Sequence, residues 1–401
     1  MKTPKKTYIA PWPTLSPKYL VPKAVTDNLP FPFSAGNKTY FYRASNAIYH
    51  LIRALRLKEK DAVLVPNYHS GNEVMAIRAA GASIRFYSID RQFQPDPDEL
   101  RCLSRDGARV LYVIHYAGWP QPIREMAELC RQNGLVLVED CALSMLSTVD
   151  AKPLGSFGDF AVYCLYKTLP VPNGGLLVQN KSVLTELSRF TPEPCGRFSA
   201  ARRTCELMLQ WLRSRSDRIG GSLMALKRRT GSLLRSVDME NVPIGNIGFE
   251  PERANVGIAP YSLRLLHRFD YSRLSRQRID NFLQLRRLLL GKAPLVKEDL
   301  GHGIVPLFFP ILVSDKRAAA EMLWDAGIGV VEFWNEGDPL ADTGNSSDAR
   351  LLRRHLLEIP IHQDVTPEQV QYVAQQVLRL SRQSSINSTD SYGVTYEQVR
   401  D

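Results

Sequence analysis

The chain has 401 residues, and its 51 Lys and Arg against 41 Asp and Glu give a formal charge of +10 at neutral pH. A composition 44% hydrophobic and 23% charged is that of a globular protein and excludes collagen-like, mostly disordered and small disulfide-stapled architectures. No apolar run approaches the roughly 20 residues of a membrane span, and neither a secretion signal nor a zinc-knuckle cysteine pattern is present, so a cytoplasmic chain of two or three domains is expected.

Residues 1–35 are proline-rich with little periodicity and read as an extended arm lying over the rest of the molecule. From Ser45 the pattern changes: Ala47, Ile48, Leu51, Ile52 and Leu55 fall at helical spacing. Residues 62–66 (AVLVP) follow as a short buried strand stopped by proline, then a helix from about Asn72 to Ala80 that ends at Gly81. The rhythm repeats with a strand at 83–89, a helix at 96–104, a strand at 109–116, a helix at 123–132 and a strand at 135–140. Two more strands are expected at 160–166 and 175–180. Strands apolar on both faces, alternating with helices, imply a mostly parallel sheet covered on both sides. Ligands of such sheets lie beyond the carboxyl ends of the strands, where Asp140, Lys167 and the loop of His69 fall.

Residues 261–290 read as one long helix. A second α/β unit then comprises strands at 305–313 and 328–334, a helix at 315–327 and a closing helix at 366–380. The expected organisation is an arm over 1–35, a large domain over 36–196, a basic helical connector over 197–250, a small domain over 251–382 and a disordered tail over 383–401.

The chemistry-bearing residues are spread over the first half. Lys167 sits between an apolar run and a segment rich in glycine and proline, TLPVPNGG. That is the setting in which a lysine loses its proton and its amine attacks a carbonyl. Asp140 ends a strand, where a carboxylate can hold a protonated pyridine nitrogen. Ser45 and the amides of Ala44 to Asn46 open a helix, and a helix N-terminus with a hydroxyl suits a phosphate. Each feature alone has a plainer explanation: an ion-paired lysine, a turn-capping aspartate, an N-cap serine.

Together they resemble a family. RASNAIYHLIRAL (43–55), DAVLVPNYHS (61–70), VIHYAGWPQP (113–122), VLVEDCA (136–142), GSFGDFAVYCLYKTLPVPNGGLLV (155–178) and LEIPIHQDVTPEQV (357–370) occur in the order and spacing of the DegT/DnrJ/EryC1/StrS aminotransferases. The resemblance covers about residues 30–380. It implies the aspartate-aminotransferase-like α/β fold (fold type I), with a mostly parallel sheet in a large domain and a smaller C-terminal α/β domain. It implies pyridoxal 5'-phosphate as cofactor, an amino-acid donor such as glutamate, and a nucleotide-activated keto sugar as acceptor. Lys167 would bind the cofactor and move protons, Asp140 would meet the pyridine nitrogen, and Ala44 and Ser45 would hold the phosphate. His69 or Tyr68 would lie over the ring face. A homodimer is also implied, with Asn255 of one chain reaching the phosphate in the other.

The chain departs from the family at several places. Leu143 stands where Gln or His is usual, and Cys164 takes the place of a serine near the phosphate, as a weaker donor. FWNEGDPLADTGN (333–345) replaces a Pro-x-His segment of the sugar-nucleotide enzymes. These departures leave two alternatives open: a scaffold or partner subunit with little turnover, and an aminotransferase of a non-nucleotide acceptor. His115 reads as a hydrogen-bonded histidine at a strand end, Glu139 as facing away from Asp140, and no histidine shows metal-ligand spacing.

The charge has an address. Residues 197–235 hold ten cationic side chains, Arg213, Arg215, Arg228 and Arg229 among them, against Glu206 and Asp217. Interleaved Leu and Trp make this either a solvated insert or a surface that lies on anionic lipid. With no recognition fold beside the charge, nucleic acid is not an expected partner.

Overall fold

The computed structural model describes residues 8–21, 29–181, 183–216, 219–223, 248–341 and 347–387. A seven-stranded sheet forms the large domain, from β1 (Lys38–Phe41), β2 (Ala62–Pro66), β3 (Ser83–Tyr87), β4 (Ala108–Ile114), β5 (Val136–Asp140), β8 (Phe160–Cys164) and β9 (Gly175–Gln179). A small antiparallel pair, β6 (Thr148–Val149) and β7 (Lys152–Pro153), lies between β5 and β8. The sheet order is β1-β9-β8-β5-β4-β2-β3. Pairing is parallel from β3 through β8 and antiparallel at β9 and β1. β2, β8 and β9 are buried along their whole length, as strands covered on both faces must be.

The helices that cover the sheet begin and end where local chemistry directs. α1 (Ala44–Ala54) buries Ala47, Ile48, Leu51 and Ile52 as its spacing predicts. α2 (Asn72–Ala79) crosses from β2 to β3, and α3 (Pro97–Arg105) starts at Asp96, whose carboxylate accepts from the amides of Asp98 and Glu99. α4 (Ile123–Asn133) stops at Gly134, left-handed at φ 65°. β1 has no expectation in the sequence, because it is a short edge strand with one fully buried residue. It is formed by pairing with β9 from the distant end of the domain.

Three further helices continue the large domain: α5 (Leu165–Thr168), α6 (Thr185–Arg189) and α7 (Arg197–Arg215). The long helix expected over 261–290 is two, α8 (Pro260–Leu266) and α9 (Tyr271–Leu289), because Asp270 caps a new start by accepting from the Arg273 amide. The break serves two cores. Leu265, Leu266, Phe269 and Leu274 pack on the large domain, whereas Phe282, Leu285 and Leu289 enter the small-domain core. The change of core therefore falls inside α9 rather than at residue 251.

The small domain is completed by β10 (Phe308–Leu312), α10 (Lys316–Asp325), α11 (Ser347–His355), β11 (Leu356–Pro360) and α12 (Pro367–Asn387), with β10 and β11 antiparallel. The strand expected at 328–334 is instead extended chain with isolated bridges, Ile9 to Ile328 and Val331 to Glu358. The N-terminal arm occupies the pairing positions beside it, and a Cβ on Gly329 would stand 2.5 Å from Pro11 Cδ. The arm also ties to the small domain through Thr14, whose amide and hydroxyl donate to Asp364 at 2.7 and 3.0 Å. α12 runs to Asn387, past the expected start of a disordered tail at 383; residues 388–401 lie outside the described part, as do 224–235 of the basic segment.

Candidate active site

One cleft of about 710 Å³ opens at the carboxyl ends of β5 and β8, where the two cores meet. Ala44, Ser45, Asp140, Cys164 and Lys167 all line it, so residues more than 120 positions apart in the chain share one cavity. Ala44 and Ser45 open α1, with Arg43 at the N-cap in an extended conformation. Their approach depends on Gly175 in β9, since a Cβ there would stand 2.2 Å from the Arg43 carbonyl and 2.6 Å from the Ala44 nitrogen. The free amides of this N-terminus carry the positive end of the helix dipole.

Asp140 lies at the back of the cleft and is buried. The Tyr112 hydroxyl donates to its Oδ2 at 2.6 Å and the Ala142 amide to its Oδ1 at 2.8 Å. Burial pushes the carboxyl above its ordinary range and the charge of Glu73 adds to this, while the two hydrogen bonds and the charge of Lys167 pull it back. A cation placed against it, such as a protonated ring nitrogen, is the partner this acid lacks. Lys167 sits on the one-turn helix α5, and its Nζ stands 5.4 Å from the centre of the Phe333 ring. Burial raises the Cys164 thiol, with the Lys167 charge acting against it.

The donor set fits pyridoxal phosphate in its chemistry: a helix N-terminus with a hydroxyl for the phosphate, a buried acid for the ring nitrogen and an amine for the carbonyl carbon. Tyr68 and His69 are not in the lining. The Tyr68 ring is packed among Phe93, Tyr116 and Trp334, and the His69 ring stacks on Phe86 at 5.4 Å. Both side chains turn into the large-domain core, which takes them out of the ring-face position expected for them; Ser70 is the member of that loop that reaches the cleft. Asn255 is exposed and lies beside a different helix face, in a segment that Asn46 and His50 hold through the Arg253 and Ala254 carbonyls. It does not line the cleft of its own chain.

Several residues at the cleft have no sequence signal. Glu73 is a helix residue and Trp12 belongs to the arm, both in the lining, while Tyr112 is a mid-strand tyrosine that reaches the site only through its bond to Asp140. Trp12 packs edge-on to Phe308 at 5.1 Å and against Phe333 at 5.8 Å, in a cluster that includes Leu143. The wall that Gln or His would make polar is therefore apolar here.

His115 and Glu139 stand outside the cleft. The Gln121 amide donates to His115 Nδ1, so Nε2 carries the proton and donates to Glu139 at 3.2 Å. Glu139 also accepts from the amides of Gly155, Phe157 and Gly158 at 2.8, 2.7 and 2.6 Å. Cys141 is near, but the oxygens of Glu139 are engaged by N–H groups, and the cluster is a hub of hydrogen bonds.

The layered sheet with this cleft defines the fold of the sugar aminotransferases. An aminotransferase of Streptoalloteichus hindustanus, TlmJ, superposes with a TM-score of 0.60 at 20% identity over 87% of both chains. A putative sugar aminotransferase of Streptococcus pneumoniae, in its PMP-form, does so at 0.65 and 15% over 94% of both. Residues 41–206 match the model of the DegT/DnrJ/EryC1/StrS aminotransferase family. Among curated relatives, GDP-perosamine synthase of Vibrio cholerae is 27% identical over 35% of this chain and 39% of its own length. The dTDP-4-dehydro-2,3,6-trideoxy-D-glucose 4-aminotransferase of Saccharopolyspora spinosa is 29% identical over 32% and 34%. The chain thus matches little more than a third of the length of these relatives.

Proposed function

We propose that this protein is a pyridoxal-phosphate-dependent aminotransferase that carries an amino group from glutamate to the keto group of a nucleotide-activated sugar. The convergence of the α1 N-terminus, Asp140 and Lys167 on one cleft carries this reading. When bound there, pyridoxal phosphate supplies an electron sink for the carbon that loses its proton. The amides of Ala44 and Ser45 and the Ser45 hydroxyl hold the phosphate. Asp140, oriented by Tyr112 and Ala142, keeps the ring nitrogen protonated. Lys167 Nζ would be the group that accepts the proton from the substrate carbon and holds it within the cleft. The Phe333 ring lies 5.4 Å from that amine and forms an apolar side of its surroundings.

The purified protein, given pyridoxal phosphate, is expected to turn yellow and to bleach on addition of L-glutamate. A chain that stays colourless with excess cofactor overturns the reading in favour of a scaffold subunit, which the apolar environment of Leu143 would suit. The names of the two curated relatives support nucleotide-linked acceptors. A non-nucleotide acceptor is favoured by the lining charges, since Arg43 and Lys167 face Glu73, Asp140, Glu332 and Glu336. Assay of the bleached protein against GDP- and dTDP-keto sugars and their unphosphorylated counterparts decides between them.

The assembly in this reading is a homodimer in the cytoplasm, with the exposed Asn255 of each chain offered to the phosphate site of the other; light scattering that finds a monomer at working concentration sinks it. A peripheral contact with anionic membrane is supported by α7. Ala201, Met208, Trp211 and Leu212 face an open groove of about 930 Å³ edged by Arg197 and Arg264. The opposite face turns to the body, with Ser199 on Tyr42 and Arg213 on Tyr8. Among the described residues no helix is long and apolar enough to cross a membrane. The protein is expected to float with anionic but not neutral vesicles, and to lose this on Arg→Ser change at 197, 215 and 264. Equal flotation of parent and variant would remove lipid as the partner.

A further inference from the structure

The two walls of the cleft are joined by one buried side chain outside it. Arg353 lies on α11, whose Ala349 and Leu352 pack on the large-domain core, and is 5% exposed. Its Nη2 donates to the Asn67 carbonyl at 2.7 Å and its Nη1 to the His69 carbonyl at 3.2 Å. Nη1 also donates to the Trp334 and Glu336 carbonyls at 3.1 and 2.9 Å. The first pair belongs to the loop after β2, which brings Ser70, Asn72 and Glu73 to the cleft. The second belongs to the segment that brings Phe333, Trp334 and Glu336.

That second segment has no sheet to hold it. Trp334 is left-handed at φ 55°, a conformation that persists only where its surroundings over-determine it. Neighbouring groups supply the rest: Lys316 Nζ donates to the Phe333 carbonyl at 2.6 Å, and the Phe333 amide donates to Glu358 at 3.3 Å. Gly337 lies flat on the guanidinium, where a Cβ would stand 2.6 Å from Nε. A planar guanidinium with five donors can gather carbonyls from two segments, which an ammonium cannot do at the same spacing.

We propose that Arg353 is a positioning residue that sets the width of the cleft by fixing the 67–69 loop and the 333–337 rim to one another. It touches no reacting atom and acts through the groups it holds. The proposal rests on the cleft being the active site, so its test has one readout that needs no turnover. In hydrogen exchange of the full chain, Arg353→Lys is expected to speed exchange in peptides spanning 67–73 and 333–338 together, on the order of tenfold. A peptide covering β5 should be unchanged. With cofactor added, KM for L-glutamate is expected to rise about tenfold with a smaller change in kcat, and the yellow colour to be kept.

Gly337→Ala leaves the buried cation in place and pushes the rim off it, so it should give the same paired exchange even where Arg353→Lys does not fold. Acceleration confined to one wall, acceleration spread evenly over the fold, or no change in Gly337→Ala each overturns the proposal. A chain without colour or turnover but with paired exchange would instead refute the catalytic reading and leave the clamp standing.

Discussion

Lys167→Ala is expected to give a folded, colourless protein whose turnover falls by roughly a thousandfold or more, the loss that follows removal of a positioned acid–base group. Nothing in the packing resists the change. The ammonium faces the Phe333 ring at 5.4 Å across the cleft, and the chain around it is held by the Leu165 amide on the Gly174 carbonyl and the Leu169 amide on the Leu165 carbonyl. The melting temperature should therefore stay near that of the parent. Lys167→Arg separates charge from chemistry: it keeps a cation beside Asp140 but holds its proton at any working pH, and so cannot act as a base. It should be as inactive as the alanine variant. Measurement is by cofactor absorbance and by single-turnover reaction with L-glutamate. Turnover in Lys167→Arg above a tenth of the parent would show that another group moves the proton.

The largest effect on stability belongs to a residue outside the cleft. Glu139→Ala strands the amides of Gly155, Phe157 and Gly158 and the Nε2 proton of His115, all buried. Each orphaned donor costs about 1–3 kcal/mol, so four of them together should cost at least about 4 kcal/mol. Chemical denaturation should show a loss of that size. Glu139→Gln keeps one acceptor oxygen and turns the other end into a donor that meets N–H groups, so it should recover only part of the loss. A melt unchanged in Glu139→Ala would mean that the loop 155–158 finds other acceptors. Because Gly155 to Gly158 lead into β8, which carries Cys164 and then Lys167, this hub holds the lysine in place as well as the fold.

Elements whose burial is local were legible: α1, β2, α4 and β5 announce themselves by periodicity and by stops such as Pro66 and Gly134. Elements that exist only through a distant partner were not. β1 pairs with β9, the extended 328–334 segment gives its pairing positions to the arm and to Glu358, and the helix over 261–290 divides because its two ends enter different cores. The basic segment shows the same limit. Its charge could be counted, but that α7 leaves an open groove beside Trp211 and Leu212 depends on how it packs against residues 259–261.

The same division runs through the site. By itself the sequence singled out candidate residues: a strand-end aspartate, a helix-opening serine and a lysine among glycines and prolines, which gain weight only in combination. The total charge of +10 was a weaker guide than its concentration in residues 197–235. The tertiary structure alone decided which of those residues share a cavity, sending Tyr68 and His69 into the core and leaving Asn255 on the surface. It also supplied Tyr112, Trp12 and Arg353, whose roles rest on carboxylates, rings and carbonyls far away in the chain. Propensity and periodicity are local properties, whereas a hydrogen bond between Arg353 and Asn67 joins positions 286 apart in the chain and depends on how everything between them is packed.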